Sequence, residues 1–515
     1  MTIRGPRGRP SGARRPAPYH APVSADAPGA APAPLPRQPA TTPVTSPATT
    51  HRGRVAAWAL WDWGSAAFNA VITTFVFTRW ITSDAFADPA AVAAADAEGS
   101  AGGPATEALD AVLAEHSTWL GWGLTAAGVA IALAAPVLGA RADSAGRRRR
   151  WLGIQTAVTV LLSAAMVLVR PDPDALAYNV VLGITLLALG NIAFELASVN
   201  YNAMLAQIAA PSALGKVSGI GWGFGYIGGI VLLLLLFVGF INPDVGWFGI
   251  TDGDGMDIRI SVLVSAVWFA VFAIPVLVTV PEVPQDARRR TPGVVASYRQ
   301  LGRDIAGLWR NARHTLYFLL ASAVYRDGLA GVFTFGAVIA SGTFGFSASE
   351  VVVFAIVANL VAGLATLLGG WADDRIGPKR VITASLVGLV LAGSAVFALH
   401  DAGPTAFWVF GLALCVFVGP AQSASRSLLA RVIPPGRESE VFGLYATTGR
   451  AASFLAPLAF STFITVSGSQ HWGVVGIVLV LALGLALLLP LRVAQVRAPL
   501  PDPELEAPAG TPSGV

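Results

Sequence analysis

Gly139-Ala-Arg-Ala-Asp143-Ser-Ala-Gly146-Arg147-Arg148-Arg149 returns 231 residues later as Gly370-Trp-Ala-Asp-Asp374-Arg-Ile-Gly377-Pro-Lys379-Arg380. Both stretches read G-x-x-x-D-x-x-G with a run of basic residues, and each follows a long apolar segment. Every part of that pattern has a physical use. Gly139 and Gly370 let two helices approach backbone to backbone. Asp143 and Asp374 can sit against a helix N-terminus. The basic residues meet anionic headgroups. One copy reads as a turn with a basic anchor, whereas two copies point to a duplicated, membrane-embedded chain whose gating-motif residues are Gly139, Asp143, Gly146 and Arg147 in the first copy and Gly370, Asp374, Arg375, Gly377 and Lys379 in the second.

Outward from the two loops, residues 55 to 492 divide into apolar runs of about 20 residues, the length that crosses a bilayer. Twelve are predicted, near 57–81, 118–140, 151–169, 177–208, 218–241, 259–280, 315–342, 347–370, 380–399, 404–430, 441–467 and 472–492. Basic residues collect on the cytoplasmic side of a membrane. With the N-terminus inside, twelve spans place 28 of the 34 Lys and Arg residues there. The loop 82–117 has no basic residue and seven acidic ones, so it is expected outside. Weaker echoes of the repeat join Leu205–Pro211 to Leu429–Pro435 and Gly219 to Gly443.

Composition agrees. Of 515 residues, 54% are hydrophobic and 12% charged, half the charge of an ordinary soluble domain. The net charge of +4 gives no reason to expect nucleic acid as a partner. The single Cys415 excludes an intrachain disulfide or a Cys-based metal site. Gly223-Phe-Gly225-Tyr-Ile-Gly228 matches a dinucleotide fingerprint, but it falls inside an apolar run and reads as small-residue helix packing. No Walker A sequence is present. The six histidines are expected outside the helix interiors, which argues against a haem or zinc enzyme; no cofactor or metal is expected.

The repeated loop, six plus six spans and a basic central loop resemble the major facilitator superfamily over the whole apolar core. The implied fold is all-α: twelve transmembrane helices in two six-helix bundles related by pseudo-twofold symmetry. The implied role of the loop motif is to latch the cytoplasmic side while the carrier faces outward. Trp61–Phe68, Tyr201–Leu205, Val217–Gly223, Tyr325–Gly328 and Thr448–Arg450 are similar to signatures of the vacuole effluxer branch, with departures at Trp61, Gly64 and Arg326. Fungal members of that branch are associated with amino-acid export, so the resemblance implies transport of a small-molecule substrate, with protons as a candidate coupling ion.

Charges within a bilayer are costly and need a partner or a water-filled space. Asp62 in span one and Asp327 in span seven, with Arg326, form one candidate site for proton coupling or substrate charge; a structural ion pair is the competing use. Asn191, Glu195 and Asn202 share a face of span four beside Tyr201, and Asn69 adds a polar position in span one. These could read the charged ends of an amino acid, or tie helices together. Arg450 is expected to pair with Glu195 or to meet a carboxylate. Arg426 is expected to snorkel to the cytoplasmic interface.

The predicted organisation is a disordered cytoplasmic arm at 1–54, bundles at 55–280 and 314–492, a cytoplasmic central loop at 281–313 and a disordered cytoplasmic tail at 493–515. The expected function is secondary transport of small polar metabolites, foremost amino acids, by alternating access, in a monomer in the cytoplasmic membrane with both termini inside. Hydrophobic drug efflux and a non-transporting sensor or scaffold are the alternatives; an enzyme is not expected.

Overall fold

The computed structural model describes residues 50–99, 103–282, 313–433 and 436–491, with scattered positions between 298 and 310. The expected arm, the tail and most of the central loop lie outside the described residues; Arg52 and Arg54 already belong to the first helix. Among the described residues all regular structure is helical, and eleven helices are long and apolar enough to cross a membrane. A twelfth span is broken into pieces, which gives the expected count.

That first span runs as Arg52–Ala66, a π-helical stretch Ala67–Phe75 and a short Phe77–Ile81. Span two is Pro104–Ala145, span three Arg148–Ala165, span four Leu176–Ile208, span five Leu214–Leu236 and span six Met256–Thr279. Span seven is Arg313–Gly342, span eight Ala348–Ile376, span nine Pro378–Ala398 and span ten Pro404–Val432. Span eleven breaks at Ser453 and Phe454 into Glu438–Ala452 and Leu455–Ser467, and span twelve is Gly473–Leu488.

Span two corrects the predicted boundary. Its 42 residues start well before position 118 and make a helix about 60 Å long, twice the hydrocarbon thickness. Its first turns therefore project beyond the apolar layer, and His116, expected in a loop, is a buried helix residue. A short helix, Pro89–Glu98, leads into it. The Glu98 carboxylate accepts from the Ala105 and Thr106 amides at 2.9 and 2.8 Å, and these backbone donors hold it below the usual glutamate range.

Spans one to six pack among themselves, as do seven to twelve, and the halves meet along two seams. Span two lies against span eleven and span five against span eight, so each seam is the repeat-related counterpart of the other. Glycine makes both seams close. A Cβ on Gly139 would strike the Ser439 carbonyl, and one on Gly370 would lie 2.7 Å from the Gly215 carbonyl. At the turn after span two, Gly146 takes φ 62°, a left-handed conformation that glycine adopts without steric cost.

Candidate functional site

On the face that carries the arginine-rich loops, the two aspartates of the repeat each do the same thing. The first amides of a helix have no partner within it. Asp143 accepts from two of them at the start of span eleven, Ser439 at 3.1 Å and Glu440 at 2.9 Å. Asp374 accepts from two at the start of span five, Gly215 and Lys216, both at 2.8 Å. Each carboxylate thus crosses from one bundle to the other and meets the positive end of a helix dipole.

Arginines complete the two latches, and they are not the ones the loop pattern nominates. Arg147 is exposed; Arg148 is buried and spans the seam, 2.6 Å from Asp143 and 2.5 Å from Glu438. The start of span three decides this: Arg147 is the residue before the helix, with φ −118° and ψ 44°, and Arg148 opens it. In the second copy Arg431 joins Asp373 at 3.1 Å and Asp374 at 2.9 Å, and Ser427 also bonds the fully buried Asp373. Arg375 instead lies 3.6 Å from the Trp371 ring, and Lys379 donates to the Leu489 and Leu491 carbonyls within its own bundle. Gly377, at φ 90°, joins spans eight and nine.

One layer deeper, the structure overturns the reading of Arg426. It does not snorkel: its side chain is 4% exposed and crosses to the other bundle. The guanidinium donates to Ser218 Oγ at 3.0 Å, the Ser218 carbonyl at 2.7 Å and Asn202 Oδ1 at 3.1 Å, and lies 3.3 Å from Asp62. It also faces the rings of Trp58 and Trp222 at 4.8 and 5.6 Å. Tyr201 stacks between Trp58 and Trp61 at 4.4 and 4.2 Å and floors the site. Asp62 therefore belongs with Arg426, Asn202 and Tyr201.

A second pair lies further along the spans. Arg450, about 18 Å from the start of span eleven, bonds Glu195 at 2.5 Å and Asn191 at 3.2 Å on span four. These side chains are 33% and 28% exposed for Arg450 and Glu195, in contrast to the sealed Arg426. The polar face of span four is thus shared: Asn191 and Glu195 serve Arg450, while Asn202, about two turns on, serves Arg426.

The expected grouping of Asp62, Arg326 and Asp327 does not occur. Asp327 is 7% exposed, and its carboxylate accepts from the Ala456 amide at 2.5 Å. It caps the second half of span eleven, Leu455–Ser467, at the break, where a helix N-terminus would otherwise be orphaned. Arg326 turns the other way, donating to the Tyr445 carbonyl at 3.1 Å with its guanidinium 3.8 Å from the Tyr445 ring. Adjacent residues on a helix leave it about 100° apart, and here the two side chains diverge to different partners. Asn69 is exposed on the π-helical stretch of span one, and its carbonyl takes the Thr73 and Thr74 hydroxyls. No group of three or more His, Cys, Asp or Glu side chains suited to a metal occurs among the described residues.

The chain is similar to known proteins. The family model described as vacuole effluxer Atg22 like matches residues 50–498. The MFS-type transporter YxiO of Bacillus subtilis is 24% identical over 83% of this chain and 92% of its own. Autophagy-related protein 22 of Cryptococcus neoformans is 27% identical over 52% of this chain, which spans about half, 48%, of that relative's length. Among solved structures, the proton:xylose symporter XylE has a TM-score of 0.61 at 13% identity, covering 85% of this chain and 94% of that one. The transporter FucP in its outward conformation scores 0.60 at 13% identity, covering 86% and 100%. These likenesses show the two-bundle fold.

Proposed function

Because the chain belongs to the vacuole effluxer Atg22-like family of major facilitator transporters, we propose that it carries small polar solutes, foremost amino acids, by alternating access at the Arg450–Glu195 pair. The observation that supports this most is a partly exposed ion pair about halfway along spans four and eleven, each partner on a different bundle. An exposed charge pair at that depth is costly in lipid and useful in water. A zwitterion offers the pair a competitor: its ammonium can take Glu195 in place of Arg450. The inner Arg426–Asp62 pair closes the path on the arginine-rich face together with the two aspartate latches.

Opening that face breaks four amide–carboxylate hydrogen bonds, and solute binding is the event that shifts the balance. Asp62 and Glu195 are the carboxylates through which a proton could be coupled, since both face an arginine of the opposite bundle and Asp327 is engaged as a helix cap. The proposed setting is the cytoplasmic membrane, with a monomer whose arginine-rich face and both termini lie inside and which catalyses no reaction. Buried polar side chains from both bundles favour polar solutes over hydrophobic drugs.

The test is counterflow of labelled amino acids in proteoliposomes of the full chain, with and without a pH gradient. Flux that R450Q and E195Q each lower at least tenfold supports the reading. Flux of hydrophobic drugs alone, or of no solute, overturns it.

A further inference from the structure

We infer that Arg326 docks the anionic group of the transported solute, a carboxylate in an amino acid, and so sets specificity; this rests on the transport reading above. Three guanidiniums and three carboxylates occupy the middle of the spans. Arg426 holds Asp62, Arg450 holds Glu195, and Asp327 is satisfied by a backbone amide. Arg326 remains. Among the described residues it has no carboxylate partner, and its one hydrogen bond goes to the Tyr445 carbonyl. A guanidinium has five N–H donors in a planar fork shaped for a carboxylate, so most of this one is unspent.

The side chain faces the space between the bundles. Arg326 and Phe333 are seven residues apart and share a helix face. Phe333 meets Tyr226 of span five across the seam, with ring centroids 6.1 Å apart. Ala330, between them on that face, is exposed. The guanidinium is also held in place. Tyr445 lies under it, and Gly449 gives it room: a Cβ at that position would be 3.0 Å from Nη1. Gly449 directly precedes Arg450 in span eleven, so this site adjoins the Arg450–Glu195 pair.

A second unmet donor lies on span five, beside Tyr226. Trp222 stands between Tyr226 and Arg426, at 6.1 and 5.6 Å, and its buried indole N–H has no acceptor among the described residues. A guanidinium has donors and no acceptor, so Arg326 fits an incoming anion and not an incoming cation.

The experiment compares leucine with leucinamide, which differ at the carboxylate, as competitors of labelled leucine uptake in proteoliposomes of the full chain. The wild type should favour leucine by roughly tenfold to a hundredfold, the range of a charge-assisted hydrogen bond. R326Q should bring that preference close to unity, and R326K should retain part of it. G449A keeps the charge but crowds Nη1, so it should raise the KM for leucine and leave competition by leucinamide unchanged. A preference that survives in R326Q, with G449A also silent, overturns the role of Arg326 and leaves the transport reading intact. Absence of uptake by the wild type overturns the transport reading, and this inference with it.

Discussion

Removing the Asp143 carboxylate should release the start of span eleven. Ser439 and Glu440 are first-turn residues of Glu438–Ala452, so their amides have no acceptor in their own helix and depend on Asp143, at 3.1 and 2.9 Å. Arg148, 2.6 Å away, loses one of its two carboxylate partners as well. Hydrogen bonds to a charged group contribute about 1.5–3 kcal/mol each, and water recovers part of the loss once the seam opens. A net cost of about 2–4 kcal/mol for D143A is therefore expected, which is roughly a 30- to 1,000-fold rise in opening. Hydrogen exchange on the full chain in nanodiscs reads this directly at Ser439 and Glu440. D374A should do the same at Gly215 and Lys216, with little cross-effect between the seams. Protection at Ser439 and Glu440 that changes by less than about threefold in D143A would refute the latch.

Gly139→Leu should mimic D143A in the same exchange experiment, because a side chain there meets the Ser439 carbonyl, whereas Gly121→Leu, with open space around it, should not. D327A should lower thermal stability by about 1–2 kcal/mol, as expected for a lost helix cap, while D327N, which keeps an acceptor, should cost less than half of that. Equal losses would assign the effect to charge. Glu98 is held below its usual range by the Ala105 and Thr106 amides, so its clasp contributes above that range and is lost as pH falls through it. Proteolysis near Thr106 should then rise below about pH 4, as it should at neutral pH in E98Q.

Span count, duplication and the latch glycines were legible because lipid demands long apolar helices and a close seam demands small residues. The length of span two was not legible. Its first turns are polar and leave the apolar layer, so hydropathy alone read them as loop. Arg426 was misread by counting residues from the helix end: Val432 is only about 9 Å away, yet span ten is covered by span five at that level. A signal did exist, since Asp62, Asn202 and Ser218 are polar at matching depth and aromatic residues surround them. The separation of Arg326 from Asp327 depends on which neighbours each meets, the Tyr445 carbonyl and the Ala456 amide, and sequence does not encode those. The choice of Arg148 over Arg147 depends on where span three begins, which an arginine run does not encode.

Alternating access to the Arg450–Glu195 pair is most directly tested by side-resolved thiol labelling of N191C in a chain whose only native cysteine, the buried Cys415, is replaced by serine. With the latches intact, an impermeant reagent should reach position 191 only from the acidic-loop side. In the D143A/D374A background it should reach the same position from the arginine-rich side. Labelling from neither side, or from one side regardless of the latches, would contradict a central site reached in turn from both faces of the membrane.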